Sequence, residues 1–124
     1  MATLDGTYLF AYEGVRIKGN SRDSFAVAGF EVYDGRGNMR VVTTSSSNKK
    51  IDRNVHTGGT YTVNADCTGI VQYSDGTRYD LFIAPDGHTF VFIQTNPGTV
   101  GAGFEPRVTA QRVRGRTFSG VRIL

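Results

Sequence analysis

Apolar and polar residues alternate with a period of two along most of the chain, and no useful stretch carries the 3.6-residue apolar period of a helix. The clearest run is 59–98. It reads as GTYTV, CTGIVQYS, TRYDLFIA and HTFVFIQT, separated by the turn residues NAD and DG and PDG, and closed by NPG. Asp75-Gly76 predicts a two-residue type I′ hairpin, in which both central residues take positive φ. Pro85-Asp86-Gly87 predicts a three-residue loop, with proline setting φ at its start and glycine in the left-handed position that closes it. The run is a four-stranded meander.

These loop lengths set a register. Tyr73 falls opposite Arg78 and Val71 opposite Asp80; across the next turn Phe82 falls opposite Phe90, Asp80 opposite Phe92 and Arg78 opposite Gln94. One face then carries Tyr73, Arg78, Asp80, Phe82, His88, Phe90, Phe92 and Gln94. The other is mainly aliphatic, with Ile70, Leu81, Ile83, Val91 and Ile93 beside Gln72 and Tyr79. Neither resembles an ordinary solvated surface, so the sheet should meet something on both sides. A slip of one residue in either loop would exchange the faces.

The earlier chain repeats the pattern. Residues 6–14 alternate Tyr8, Phe10 and Tyr12 with Thr7, Leu9, Ala11 and Glu13, and 24–34 alternate Phe25, Val27, Gly29, Glu31 and Tyr33 with Ala26, Ala28, Phe30 and Val32. The polar stretch 15–23 reads as their connection, with a short strand continuation as the alternative. Counting back from Asp34-Gly35-Arg36-Gly37 sets Glu31 opposite Arg40 and Tyr33 opposite Asn38. A third strand over 38–46 gives way to a Ser, Lys and Asn stretch without clear period, read as a long loop of the kind that often binds or covers ligands. After 98 comes a small-residue link, TVGAG, and then a last strand over 104–113 with Phe104 and Pro106 on one face and Glu105 and Arg107 on the other. Eight strands joined mainly by tight turns predict an all-β protein, an antiparallel up-and-down β-barrel filled by side chains or holding one small ligand. A two-sheet Greek-key sandwich is the alternative.

Length and composition narrow the setting. The 124 residues make one domain, 1–124, with 114–124 as a possible docking tail, and 16 glycines fit a chain with many turns. Cys67 is the single cysteine, and two histidines do not make a metal site, so neither a disulfide nor a metal or cofactor is expected. The net charge of +3 is concentrated in late arginines, read as a solvated tail and not as a nucleic-acid surface. No apolar run reaches the roughly 18 residues of a membrane span. The start, MATLDGTY, has no signal-peptide character, which suits a cytosolic chain or a secreted one with its signal removed.

In size and strand rhythm the chain resembles the small calycin-like barrels: lipocalin-type binders and the barrels of allene oxide cyclase and dirigent proteins. The resemblance covers nearly the whole chain and is one of architecture, with no signature motif. The Gly-x-Trp that lipocalins usually carry near their first strand is absent, since the chain has no Trp. The cyclase and dirigent resemblance implies a reactive small molecule steered in an apolar lumen, and a trimer.

No hydrolase, P-loop or dinucleotide motif is present. The informative cluster is Arg78, Asp80, His88 and Gln94 beside Phe82, Phe90 and Phe92, the make-up of a small-molecule pocket: an apolar wall with a few convergent polar groups. Glu31, with Tyr33 beside it, is a second cluster, because a carboxylate in an aromatic lumen has its pKa raised into the range of general acid–base work. The catalytic candidates are therefore Asp80, Glu31 and His88, and the ligand-binding candidates Arg78, Gln94, Phe82, Phe90, Phe92, Tyr33 and Tyr73. If the faces are reversed, the site moves to Tyr79 and Gln72. Three functions compete: a barrel binding a hydrophobic or aromatic ligand and isomerising or cyclising it without cofactor, a carrier of the same build, and an interaction module with a filled barrel. The aliphatic face predicts a homo-oligomer, dimer or trimer.

Overall fold

The computed structural model describes residues 4–108, 112–113 and 116–117. Eight antiparallel strands run in chain order around a closed barrel: β1 (Asp5–Lys18), β2 (Ser21–Asp34), β3 (Asn38–Ser47), β4 (Ile51–Val63), β5 (Thr68–Tyr73), β6 (Arg78–Ile83), β7 (Thr89–Gln94) and β8 (Thr99–Pro106), with β8 pairing back onto β1. The expected up-and-down barrel is the fold, and among the described residues there is no helix. The short β9 (Arg112–Val113) and β10 (Arg116–Thr117) pair with each other outside the barrel. The rest of the proposed docking tail falls outside the described residues.

Several boundaries differ from the sequence reading. In the polar stretch 15–23 the strand continuation is longer than expected and the connection is only Gly19-Asn20: β1 and β2 run to either side of it, and Gly19 takes a φ of 59°. The Ser, Lys and Asn stretch is not a long loop, because β3 and β4 pair through it around a bulge between Thr43 and Ser45, with Asn54 at positive φ. Likewise TVGAG is the first half of β8. Polar residues are admitted to these strands because their outer faces are solvated, and the backbone ladder needs no apolar side chain.

Three hairpins are each displaced by one residue from the expected register. At β5–β6, Asp75 is not at positive φ; only Gly76 is, at 95°, so the turn is not type I′. Asp75 Oδ1 instead accepts from Thr77 N at 2.9 Å, and Tyr73 N donates to Thr77 O at 2.8 Å, closing a loop of Ser74, Asp75 and Gly76. Val71 thus pairs with Tyr79 and Ile70 with Asp80. At β6–β7 the loop also contains His88, because Ala84 N donates to Thr89 O at 2.9 Å; Leu81 pairs with Phe92 and Phe82 with Val91. At β2–β3 Asp34 Oδ1 accepts from Arg36 N and Asn38 N, Tyr33 pairs with Met39, and Arg40 lies opposite Val32 instead of Glu31. In each case an extra loop residue lets aspartate accept its local backbone donor without entering the left-handed region.

The inner wall consequently takes alternate residues: Tyr8, Phe10 and Tyr12 of β1; Phe25, Glu31 and Tyr33 of β2; Met39 and Val41 of β3; Val71, Tyr79, Leu81, Ile83, Phe90 and Phe92 of β5 to β7. Two glycines on this wall are required by close approach. A Cβ on Gly29 would lie 2.0 Å from Val42 O, and one on Gly103 would lie 2.5 Å from Phe92 Cζ and 2.7 Å from Tyr12 Cβ. Such side-chain-free positions let small barrels bend and let large rings lie over the strand.

Candidate functional site

The barrel interior is sealed at one end and open at the other. At the sealed end Leu4 and Tyr8 are fully buried, Tyr61 Oη donates to Leu4 O at 2.6 Å, and Tyr8 Oη donates to Gly87 O. At the opposite end a cavity of about 200 Å³ is lined by Arg16, Asp75 and Thr77, with the Arg16 guanidinium 4.5 Å from the centre of the Phe25 ring. Between them stand aromatic rings. Tyr12, Tyr79 and Phe92 meet near right angles at 5.3–5.9 Å, and the Tyr12 and Tyr79 hydroxyls are hydrogen-bonded to each other.

Two carboxyl groups lie inside this aromatic wall. Glu31 on β2 is 2% exposed and Glu105 on β8 is 3% exposed. They flank β1, where Glu31 pairs with Tyr8. Tyr33 Oη donates to Glu31 Oε1 at 2.8 Å, and Tyr73 Oη donates to Glu31 Oε2. Glu105 Oε2 has no partner. Burial pushes both acids up, opposed at Glu31 by the neighbouring Glu105 carboxyl and by the hydrogen bond from Tyr33; Glu105 is pushed further, by burial first and then by the charge of Glu31. Each buried carboxyl, once charged, thus disfavours the charge of the other, and both hold their protons more tightly than a solvated acid does. The charge also acts on the phenol: burial, then Glu31, raises Tyr33 well above the usual tyrosine range. Tyr79 is raised too, chiefly by burial.

The sequence candidates divide between the two walls. Glu31, Tyr33, Tyr73, Phe90, Phe92 and Gln94 line the lumen. Arg78, Asp80 and Phe82 are on the outer face, because the one-residue shifts turn them outward; Phe82 is 52% exposed. His88 is exposed beyond the sealed end, with Arg107 Nη2 3.4 Å from its Nε2. The expected Arg78–Asp80–Gln94 cluster is therefore not assembled, nor is a Glu31–Arg40 pair, since Arg40 is exposed on the outer face. The aliphatic face is divided as well: Leu81 and Ile83 enter the core while Ile70, Val91 and Ile93 stay outside.

Sequence reasoning ranked Glu105, with Glu13, below Glu31 as a carboxylate candidate, reached Tyr79 only through reversed faces, and gave Tyr12 no part in a site. Gly101, Gly103 and Glu105 occupy alternate positions of one strand, and small residues facing a wall of rings were the available signal. Among the described residues no group of His, Cys, Asp or Glu forms a metal site, and no helix is long and apolar enough to cross a membrane.

Fold and interior together define a closed up-and-down β-barrel with a one-ended, aromatic and acidic lumen. No protein-family model matches the sequence, and no curated protein matches it. A solved structure described as the de novo design of a fluorescence-activating β-barrel matches with a TM-score of 0.51 at 16% identity, over 84% of this chain and 93% of that chain. That similarity is one of fold. It agrees with the barrel architecture implied by the calycin-like resemblance and assigns no family.

Proposed function

We propose that the protein binds a small, largely apolar molecule, aromatic or unsaturated, in the barrel lumen. The observation that carries this reading is the one-ended cavity whose wall of aromatic, aliphatic and polar side chains holds a buried carboxyl oxygen, Glu105 Oε2, with no partner. An unpaired buried acceptor costs about 1–3 kcal/mol, and a ligand that pairs with it offsets that cost. At about 200 Å³ the space is below the ~300–1,000 Å³ of drug-sized sites, which favours a ligand of about one ring. The likeness to a designed fluorescence-activating barrel is in keeping with this use of the fold. The test is a titration with phenol and toluene followed by two-dimensional NMR. Shifts confined to lumen residues such as Tyr12, Phe92 and Gly103 support the reading, whereas a folded protein unmoved at millimolar probe contradicts it.

A catalytic version of the same reading rests on the two buried carboxyl groups. Glu31 as base and Glu105 as acid would relocate a proton on a bound unsaturated molecule, the isomerising chemistry expected from the sequence, with Asp80 and His88 taking no part. Incorporation of solvent deuterium into a bound β,γ-unsaturated ketone, lost in Glu31→Gln, tests it. Self-association is proposed through the outer apolar row Phe82, Val91 and Phe104, which lie side by side across β6, β7 and β8. Sedimentation at micromolar concentration decides between monomer and oligomer.

A further inference from the structure

The unfilled hydrogen-bonding positions of the lumen are both acceptors. Glu105 Oε2 and Gln94 Oε1 are buried without partners, and both residues line the cavity. The Gln94 amide is held in its orientation from outside. Asn96 donates from Nδ2 to Gly76 O at 2.9 Å, which leaves its Oδ1 to accept from Arg78 N at 2.8 Å and from Gln94 Nε2 at 3.2 Å. A flipped Gln94 would set two acceptors against each other, so Oε1 is the atom left over. On the other side, both oxygens of Glu31 already receive phenolic protons from Tyr33 and Tyr73. An ionised Glu105 offers only acceptors, and Oε2 is the one that no protein donor reaches.

The charge has the same polarity. Ion pairs among the described residues, Lys49–Asp23 and Lys50–Asp52, are on the outside, and neither involves Glu31 or Glu105. Arg16 stands at the mouth over Phe25. No protein cation faces the two buried carboxyl groups among the described residues, so an incoming cation would hold them in their ionised form and lie against ring faces, whereas an incoming anion would not. Tyr12, Tyr79 and Phe92, nearly perpendicular to one another, supply three such rings along the lumen.

Resting on the reading of the lumen as a small-molecule site, we propose that its ligand is a small organic cation, an ammonium group on an apolar or aromatic body, whose N–H groups meet Glu105 Oε2 while the body lies among Tyr12, Tyr79 and Phe92. Glu105 pairs with Phe90, and Gln94 is four residues along β7 from Phe90, about 13 Å in an extended strand. Gln94 is thus nearer the mouth. It takes a donor at the other end of a longer ligand.

Four probes of one shape separate the terms: benzylamine, benzyl alcohol, toluene and benzoate, titrated at pH 7 into the intact protein and followed by lumen NMR shifts. The proposal expects benzylamine to bind on the order of tenfold more tightly than benzyl alcohol, as a charged donor should on a charged acceptor, and benzoate not to bind. Glu105→Gln, which removes the carboxylate at the contact and keeps the shape, should bring benzylamine to the affinity of the alcohol. If toluene and the alcohol bind and benzylamine binds no better, the cation assignment is overturned while the lumen reading stands. If no probe enters the lumen, both are overturned.

Discussion

The inner and outer walls of β6 and β7 are built from similar residues yet do opposite things. Inside stand Tyr79, Leu81, Ile83, Phe90 and Phe92; outside stand Arg78, Asp80, Phe82, Val91 and Ile93. Phe92 is 5% exposed and Phe82 is 52% exposed, although both sit in apolar runs one turn apart. Strand periodicity establishes that there are two walls. Which wall faces inward depends on the loops, because one added residue exchanges every side chain between faces.

The sharpest way to break that comparison is a matched pair of truncations. Phe92→Ala should cost about 3–5 kcal/mol, as for other buried aromatic deletions, and lower the urea midpoint accordingly. Phe82→Ala should cost less than about 1 kcal/mol, since most of its surface is already in water. Equal losses from the two variants would mean that the faces are reversed.

Fold class was legible because strand period, glycine-rich turns and length all point to one architecture. The site was legible only in part. Glu31 and Tyr33 were placed together correctly since they are two residues apart on one strand, and strand geometry alone puts them on one face. Phe90, Phe92 and Gln94 share a face for the same reason. Arg78, Asp80 and Phe82 were joined to them across a loop, where the choice between a type I′ turn and a longer loop decided the outcome. Aspartate took the longer loop each time, bonding its own backbone. Glu105 was ranked too low for a different cause: the first half of its strand carries Gly101 and Gly103, and glycines that make room for Phe92 and Tyr12 look, in sequence, like a linker, which hides how far the strand runs along the lumen.

Within the inner wall the carboxyl pair should behave unlike the apolar residues around it. Tyr33→Phe removes a donor from Glu31 without opening space, so a loss of about 1.5–3 kcal/mol is expected, the usual range for a hydrogen bond to a charged group. The variant should also push Glu31 further up. Thermal melts at pH 7 together with carboxyl NMR titration check both.

Glu105 gives a smaller and pH-dependent effect. Its folded-state pKa lies above the ordinary value of 4.5, through burial and then the neighbouring charge of Glu31. The folded protein therefore holds this proton where the unfolded chain has released it. The stability it contributes is fully present below about pH 4.5 and is lost as pH rises through the folded value, at no more than about 1.4 kcal/mol per pH unit. Glu105→Gln is neutral throughout and keeps an N–H to offer Glu31. The variant should match the parent at pH 4 and exceed it at pH 8 by at least about 1 kcal/mol in urea unfolding. A difference that stays constant with pH would show Glu105 to be solvated.

Asp80→Ala should have the least effect, and it tests the outer wall directly. Asp80 is exposed opposite Ile70 and Ile93, with no ion pair to Arg78 among the described contacts. Removing a solvated carboxylate from such a position changes stability by no more than about 0.5 kcal/mol. Had the type I′ loop formed, the same substitution would have left Arg78 as an unpaired cation in the lumen, at a cost of about 3–5 kcal/mol. The two registers are thus separated by several kcal/mol at one residue. Binding of an aromatic probe makes the second readout: it should be unaltered in Asp80→Ala and weakened in Glu105→Gln, and a weakened Asp80→Ala would return Asp80 to the lumen.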